Sequence, residues 1–223
     1  MPTLPAAVVF DFDGILLDSE TPEFESHRLI LARYGVFLTV DDWVHQIGIY
    51  TEGYERHWYH RIPEDHRTAY SYDDFVADKH RLFRELVSHQ PMRGIAALLD
   101  VLADAGVPLA VASSSPARWV APALKRIGIA HRFGAVVTGD LVERRKPAPD
   151  VYLRAAERLG VNPGRSVAIE DSAPGIAAAR AAGMKVVCIP HWLTESHDLS
   201  GADVRRVHAG EVDLPLLAAL WSA

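Results

Sequence analysis

Two carboxylates, Asp11 and Asp13, stand one residue apart at the end of an apolar run, in the segment AAVVFDFDGILLDSE (6–20). An unpaired buried carboxylate is costly, so a pair at the mouth of a core strand calls for partners. Other apolar runs also end in polar residues. Ser113 and Ser114 close VPLAVASS (107–114), Glu170 and Asp171 close SVAIED (166–171), and Lys146 lies in the loop RRKPAPD (144–150). Crowded carboxylates repel one another unless a cation sits among them. Oxygen ligands with room for water and phosphate favour magnesium, and the shortage of histidine within reach argues against zinc. A carboxylate held on such a metal can act as a nucleophile and form an aspartyl-phosphate. A lysine neutralises charge and binds phosphate as a point charge, while hydroxyls and free amides at a strand–helix junction can hold phosphoryl oxygens. A second carboxyl, here Asp13, can protonate a leaving oxygen and later deprotonate water. These residue types together suit phosphoryl transfer.

The elements that must position them can be read from the apolar pattern. Five runs, at 7–11, 107–114, 135–140, 166–171 and 185–190, are rich in Val and Ala and nearly continuous, as strands buried on both faces are. Segments of helical period separate the later runs, at 94–106, 115–128, 148–160 and 172–183, each with a terminal Gly. Ser115 is the candidate N-cap of the second, with Pro116 at its first helical position. The alternation predicts an α/β fold, a doubly wound parallel sheet with helices on both faces. In such sheets ligands bind at the carboxyl ends of the strands, which is where the polar residues above collect. The rhythm breaks after the first strand. Roughly 70 residues follow without a convincing sheet strand, opening with an amphipathic segment at 21–35 and closing with another at 72–90. They predict a small α-helical domain at 18–90 inserted into a core made of 1–17 and 91–223.

Four stretches carry a family resemblance. DFDGILLDSE resembles the first signature of the haloacid dehalogenase superfamily of aspartate-nucleophile phosphohydrolases. VASSSP resembles the second, KPAPDVY the third and IEDSAPGIAAARAAGM the fourth, all in the family's order and spacing. The 18–90 insert matches the family's helical cap, and the chain is similar to the β-phosphoglucomutase-like phosphatases with that cap. The resemblance implies Asp11 as nucleophile, Asp13 as acid and base, Ser113, Ser114 and Lys146 at the substrate phosphate, and Asp171 as a direct magnesium ligand. It also implies metal contacts from Asp11, from the Asp13 backbone carbonyl, and from Glu170 mostly through water. Gly14 would make the sharp turn out of the first strand.

The expected activity is magnesium-dependent hydrolysis of a small organic phosphate monoester. A sugar-phosphate mutase is the alternative within the family. Dehalogenation is disfavoured by Asp13, Glu170 and Asp171, and phosphonate hydrolysis by the late position of Lys79, the cap's one lysine. Against the mutase, Glu23 stands where the mutase has a histidine, and Thr51 where it has an arginine. A phospho-accepting signalling receiver is the alternative of another class, disfavoured by the insert and by an acceptor on the first strand. His57 and His60 read as surface or packing residues, and Tyr50, Tyr54, Trp58 and Tyr59 as packing of the helical insert. The 223 residues are 49% hydrophobic and 23% charged with a formal charge of -6, without a dense basic run, so nucleic acid is not an expected partner. The lone Cys188 lies in an apolar run and reads as a buried thiol. No stretch of ~18 apolar residues or signal-like start is present. A cytoplasmic protein acting on a small molecule, without a membrane partner and monomeric by default, is expected.

Overall fold

The chain is described here by a computed structural model covering residues 4–48 and 53–221. Tyr50 and Thr51 lie outside the described residues. The first strand, β1 (Val8–Phe10), leads into five helices: α1 (Glu20–Ala32), α2 (Val40–Trp43), α3 (Glu55–Tyr59), α4 (Glu64–Arg67) and α5 (Tyr72–Leu86). Thereafter helices and strands alternate as far as β5: α6 (Ile95–Asp104), β2 (Leu109–Ala112), α7 (Ala117–Arg126), β3 (Ala135–Val137), α8 (Asp150–Leu159), β4 (Val167–Glu170), α9 (Ala173–Ala181) and β5 (Lys185–Cys188), followed by β6 (Val204–Arg205) and α10 (Leu214–Ala219). The six described strands form one parallel sheet in the order β3-β2-β1-β4-β5-β6. This is the doubly wound α/β architecture that the apolar runs predict.

Side chains alternate across each strand, and both faces are buried. Val8, Phe10, Leu109, Val111 and Ile169 enter one cluster, with Leu98, Leu102 and Leu124 of α6 and α7. Val9, Ala110, Ala168 and Val186 enter the other, with Tyr152, Ala155 and Ile176 of α8 and α9. Cys188 is buried in this second cluster as a free thiol. Because β1 lies at the centre of the sheet, the residues that follow it emerge beside those that follow β2 and β4.

Helices α1 to α5 have an apolar cluster of their own. Phe24, Leu31, Trp43, Trp58, Tyr59 and Phe75 fill it, so Trp58 and Tyr59 pack the insert as expected, while His57 and His60 are exposed. Ser71 and Asp74 close α5 with a reciprocal capping box. One member of this cluster comes from far along the chain: Leu193, in the loop after β5. The same loop grips the insert at three further points. His191 Nε2 lies 3.2 Å from Asp18 Oδ1, Trp192 Nε1 donates to Thr21 Oγ1 at 2.9 Å, and His197 Nε2 donates to the Val44 carbonyl at 2.9 Å.

Two local expectations are corrected. The sequence pattern shows no run for β6, because this edge strand has two residues, neither of them buried. Ser115 does not cap α7. Pro116 holds the N-cap position, and the Ala117 N–H is taken by Asp140 Oδ1 at 3.1 Å, which leaves the Ser115 hydroxyl for Asp13. No helix among the described residues is long and apolar enough to cross a membrane.

Candidate active site

At the carboxyl end of β1 the backbone delivers Asp11, and β4 delivers Glu170 and Asp171 alongside it. Oxygens of these three buried carboxylates lie within 4.8 Å of one another. Lys146, from the loop before α8, reaches between them, with Nζ 2.7 Å from Asp11 Oδ1 and 2.6 Å from Glu170 Oε1. Glu170 is fully buried and saturated with donors. Oε1 also accepts from the Tyr152 hydroxyl at 2.5 Å, and Oε2 accepts from the Asp171 N–H at 3.1 Å and the Ser172 hydroxyl at 3.3 Å. Asp171 differs: its Oδ2 is buried without a hydrogen-bond partner.

One ammonium does not balance three buried carboxylates. Burial, with Glu170 nearby, raises the Asp11 carboxyl to about 8 even though Lys146 pulls the other way. Asp171 is pushed well above the usual carboxylate range by burial, Glu170 and Asp11. Burial works to lower the Lys146 ammonium, but the charges of Asp11 and Glu170 outweigh it and raise it. Such a cluster has the charge, the all-oxygen donor set and the orphaned Asp171 oxygen that a divalent cation satisfies.

Backbone geometry keeps the cluster tight. Gly14 turns out of β1 with φ +76°, and a Cβ there would fall 2.5 Å from Asp171 Oδ2. Gly175, in the first turn of α9, leaves space that a side chain would close, since its Cβ would fall 2.0 Å from Glu170 Oε1. Glycine is the residue that permits such close approach.

Asp13 lies beside this cluster in a different setting. Its Oδ1 accepts from the Ser19 hydroxyl at 2.6 Å and the Trp119 indole N–H at 3.0 Å. Its Oδ2 accepts from the Ser115 hydroxyl at 2.6 Å and the Ser113 hydroxyl at 3.3 Å. Ser113 is fully buried, and its oxygen also takes the Ser115 N–H at 2.9 Å. The Ser114 hydroxyl is buried without a partner, and Ser114 lines the cavity above the acids. The structure thus brings Asp11, Asp13, Ser113, Ser114, Lys146, Glu170 and Asp171 to one edge of the sheet.

The cavity, of about 450 Å³, opens between this edge and the helical insert, with Asp11, Asp13, Lys146 and Asp171 in its floor. Its upper wall was not legible in the sequence. Lys79 of α5 reaches Glu23 Oε1 at 3.0 Å and Glu55 Oε1 at 3.4 Å, and the Tyr54 hydroxyl also donates to Glu23. Although burial would raise Glu23, Lys79 and its other partners outweigh it and hold it below the usual carboxylate range. Glu20, nearer the floor, is raised well above that range by burial and by Asp13 and Glu23. The cations Arg84 and Arg118 line the cavity from exposed positions, beside His80, whose imidazole burial and Lys79 push toward the neutral form. The floor is therefore anionic, the wall is a bridged ion cluster, and the mouth is positive.

The family model for haloacid dehalogenase-like hydrolases matches residues 8–189 of the chain. A phosphorylated carbohydrates phosphatase of Thermotoga maritima is 33% identical over 198 residues, which is 86% of this chain and 89% of that protein. Fructose-1-phosphate phosphatase YqaB of Escherichia coli is 34% identical over 193 residues, covering 82% of this chain and 95% of its own. The crystal structure of CbbY from Rhodobacter sphaeroides in complex with phosphate superposes with a TM-score of 0.71 at 26% identity, over 96% of this chain and 99% of that one.

Proposed function

The chain belongs to the haloacid dehalogenase-like hydrolases and is a phosphoric monoester hydrolase, and from that premise we propose that it cleaves a sugar or polyol monophosphate by way of a phosphoryl group carried on Asp11. The observation that carries this reading is the placement of Asp11 against Lys146, on the cavity floor, with the unpartnered Asp171 oxygen beside it. We read residues 18–90 as a cap that covers the leaving group, and 1–17 with 91–223 as the core that holds the phosphate.

Asp11 attacks phosphorus as the ester P–O bond breaks, and Asp13 gives its proton to the departing oxygen. Water then attacks the aspartyl-phosphate. Asp13 takes the water's proton, the bond from phosphorus to Asp11 breaks, and inorganic phosphate leaves. Lys146 keeps Asp11 aimed and offsets its charge. Ser114 offers its unpartnered hydroxyl to the phosphoryl oxygens, and Ser113 joins it by giving up its longer bond to Asp13. Asp11, Glu170, Asp171 and the Asp13 backbone carbonyl fit a magnesium ion by donor type and charge. When bound, the ion offsets the charge of acids and phosphate and polarises the phosphoryl oxygens.

The cavity wall favours a leaving group rich in hydroxyls. Glu23 and Glu55 accept hydrogen bonds from hydroxyls and repel a second phosphate, whereas the cations at the mouth draw the anionic substrate inward. This disfavours a mutase, which must hold a sugar carrying two phosphates. Lys79 is engaged by two carboxylates, Glu23 at 3.0 Å and Glu55 at 3.4 Å, in the cavity wall, and an amine tied up in this bridge is not free to add to a substrate carbonyl, which disfavours phosphonate hydrolysis.

The test is inorganic phosphate release from a panel of sugar and polyol monophosphates with magnesium, then with excess chelator, for the wild type and Asp11→Asn. Turnover that needs magnesium and vanishes in the variant supports the reading. Full activity in chelator, or near-normal activity of Asp11→Asn, refutes it. With β-glucose 1-phosphate and a catalytic amount of the bisphosphate, free phosphate should accumulate and glucose 6-phosphate should not.

A further inference from the structure

Asp13 is held by three hydroxyls and one indole. The two kinds of donor behave differently. A hydroxyl hydrogen rotates to suit its acceptor, so Ser19, Ser113 and Ser115 can follow the carboxyl as it moves. The Trp119 N–H points where its ring points, and the ring is wedged. Phe12 meets it edge-on at 6.1 Å between centroids, from the residue between the two aspartates. Phe83 of α5 meets it edge-on at 5.2 Å, from the helical insert. The Arg126 guanidinium lies 5.7 Å from the ring centroid. One rigid ring therefore touches the β1 exit, the insert and the Asp13 carboxylate.

We propose that Trp119 is a positioning residue for Asp13. Its indole N–H sets the direction of the carboxyl, and its contact with Phe83 makes that direction depend on where α5 sits over the cavity. The proposal rests on Asp13 being the acid that protonates the leaving oxygen. It follows that Trp119 matters for a leaving group that must be protonated, an alkoxide, and little for one that departs as a stable anion, such as nitrophenolate.

The experiment compares kcat/KM for glycerol phosphate and for p-nitrophenyl phosphate in the wild type, Trp119→Phe, Phe83→Leu and Asp13→Asn. For each, kcat/KM reports stabilisation of the transition state from free enzyme and substrate. Trp119→Phe keeps an aromatic ring and removes the N–H. It is expected to lower the glycerol-to-nitrophenyl ratio about tenfold, less than the roughly 10²–10⁴-fold expected for loss of the acid in Asp13→Asn. Phe83→Leu, which leaves Trp119 in the chain, should move the ratio the same way by about threefold. If Asp13→Asn lowers the ratio and Trp119→Phe leaves it within about twofold of wild type, the proposal is overturned while the acid assignment stands. An equal fall on both substrates in Trp119→Phe overturns it as well, because general loss of packing does not discriminate between leaving groups. An unchanged ratio in Asp13→Asn removes the acid assignment and the proposal with it.

Discussion

Replacing Lys146 with Met tests whether the acids at the sheet edge depend on its charge. Met fills a similar volume and cannot bond. The side chain it replaces is 2% exposed, and its ammonium lies 2.7 Å from Asp11 and 2.6 Å from Glu170. Removing one partner from a buried ion pair costs about 3–5 kcal/mol, because it leaves uncompensated buried charge. Here two carboxylates lose their shared cation with a third, Asp171, adjacent. The folded protein has one relief, which is to take up a proton. Asp11 is raised to about 8 with Lys146 lowering it, so without Lys146 it rises further. A carboxyl whose folded pKa lies above its unfolded one binds more protons when folded, so stability falls as pH rises through that interval. The loss in Lys146→Met should therefore be about 3–5 kcal/mol near about pH 9 and clearly smaller near about pH 6. Urea unfolding in chelator at both pH values reads it directly, and phosphate release with magnesium should fall by roughly 10²-fold or more. No loss at the higher pH, or an equal loss at both, would refute the charge argument.

Three further outcomes follow from the same geometry. Tyr152→Phe removes a 2.5 Å donor from fully buried Glu170 and should cost about 1.5–3 kcal/mol in urea unfolding; a neutral result would mean that Glu170 is satisfied without it. In chelator, wild-type stability should fall as pH rises from about 4 to about 8, because folded Asp11, raised to about 8, keeps a proton that the unfolded carboxyl has released. Asp11→Asn should remove that part of the slope, and thermal melts across the interval check both. Glu23→Gln deletes a charge from the Lys79 bridge and should raise kcat/KM for a sugar bisphosphate relative to the monophosphate by about 5- to 10-fold; an unchanged ratio removes the wall as a source of selectivity.

The strands were legible because burial on both faces leaves a continuous apolar run, and the acids were legible because each ends such a run. Asp11, Asp13, Glu170 and Asp171 need no knowledge of side-chain direction to be placed at one edge. Ser115 was legible only as a cap, since its true acceptor, Asp13, is 102 residues away. The roles of Tyr152 and Trp119 were not legible: helical period marks the buried face and says nothing of where a hydroxyl or an indole N–H points. The Lys79 bridge joins residues from α1, α3 and α5, and sequence alone does not fix how helices of a small insert turn toward one another. Lys79 was discounted for its late position, yet α5 lies beside α1 and carries it to the cavity wall.

The loop after β5 has a consequence for how the chain is made. Translation completes Phe24, Trp43, Trp58 and Phe75 long before Leu193, yet all five close one apolar cluster. A nascent chain that has released only its first hundred residues exposes that cluster with its last wall absent, together with the unmet Asp18, Thr21 and Val44 partners of the same loop. The apolar cluster of the insert is therefore complete only when the far end of the sequence is present. A chimera that exchanges residues 18–90 for another protein's must exchange residues 191–197 with them, or it will carry a mismatched plug.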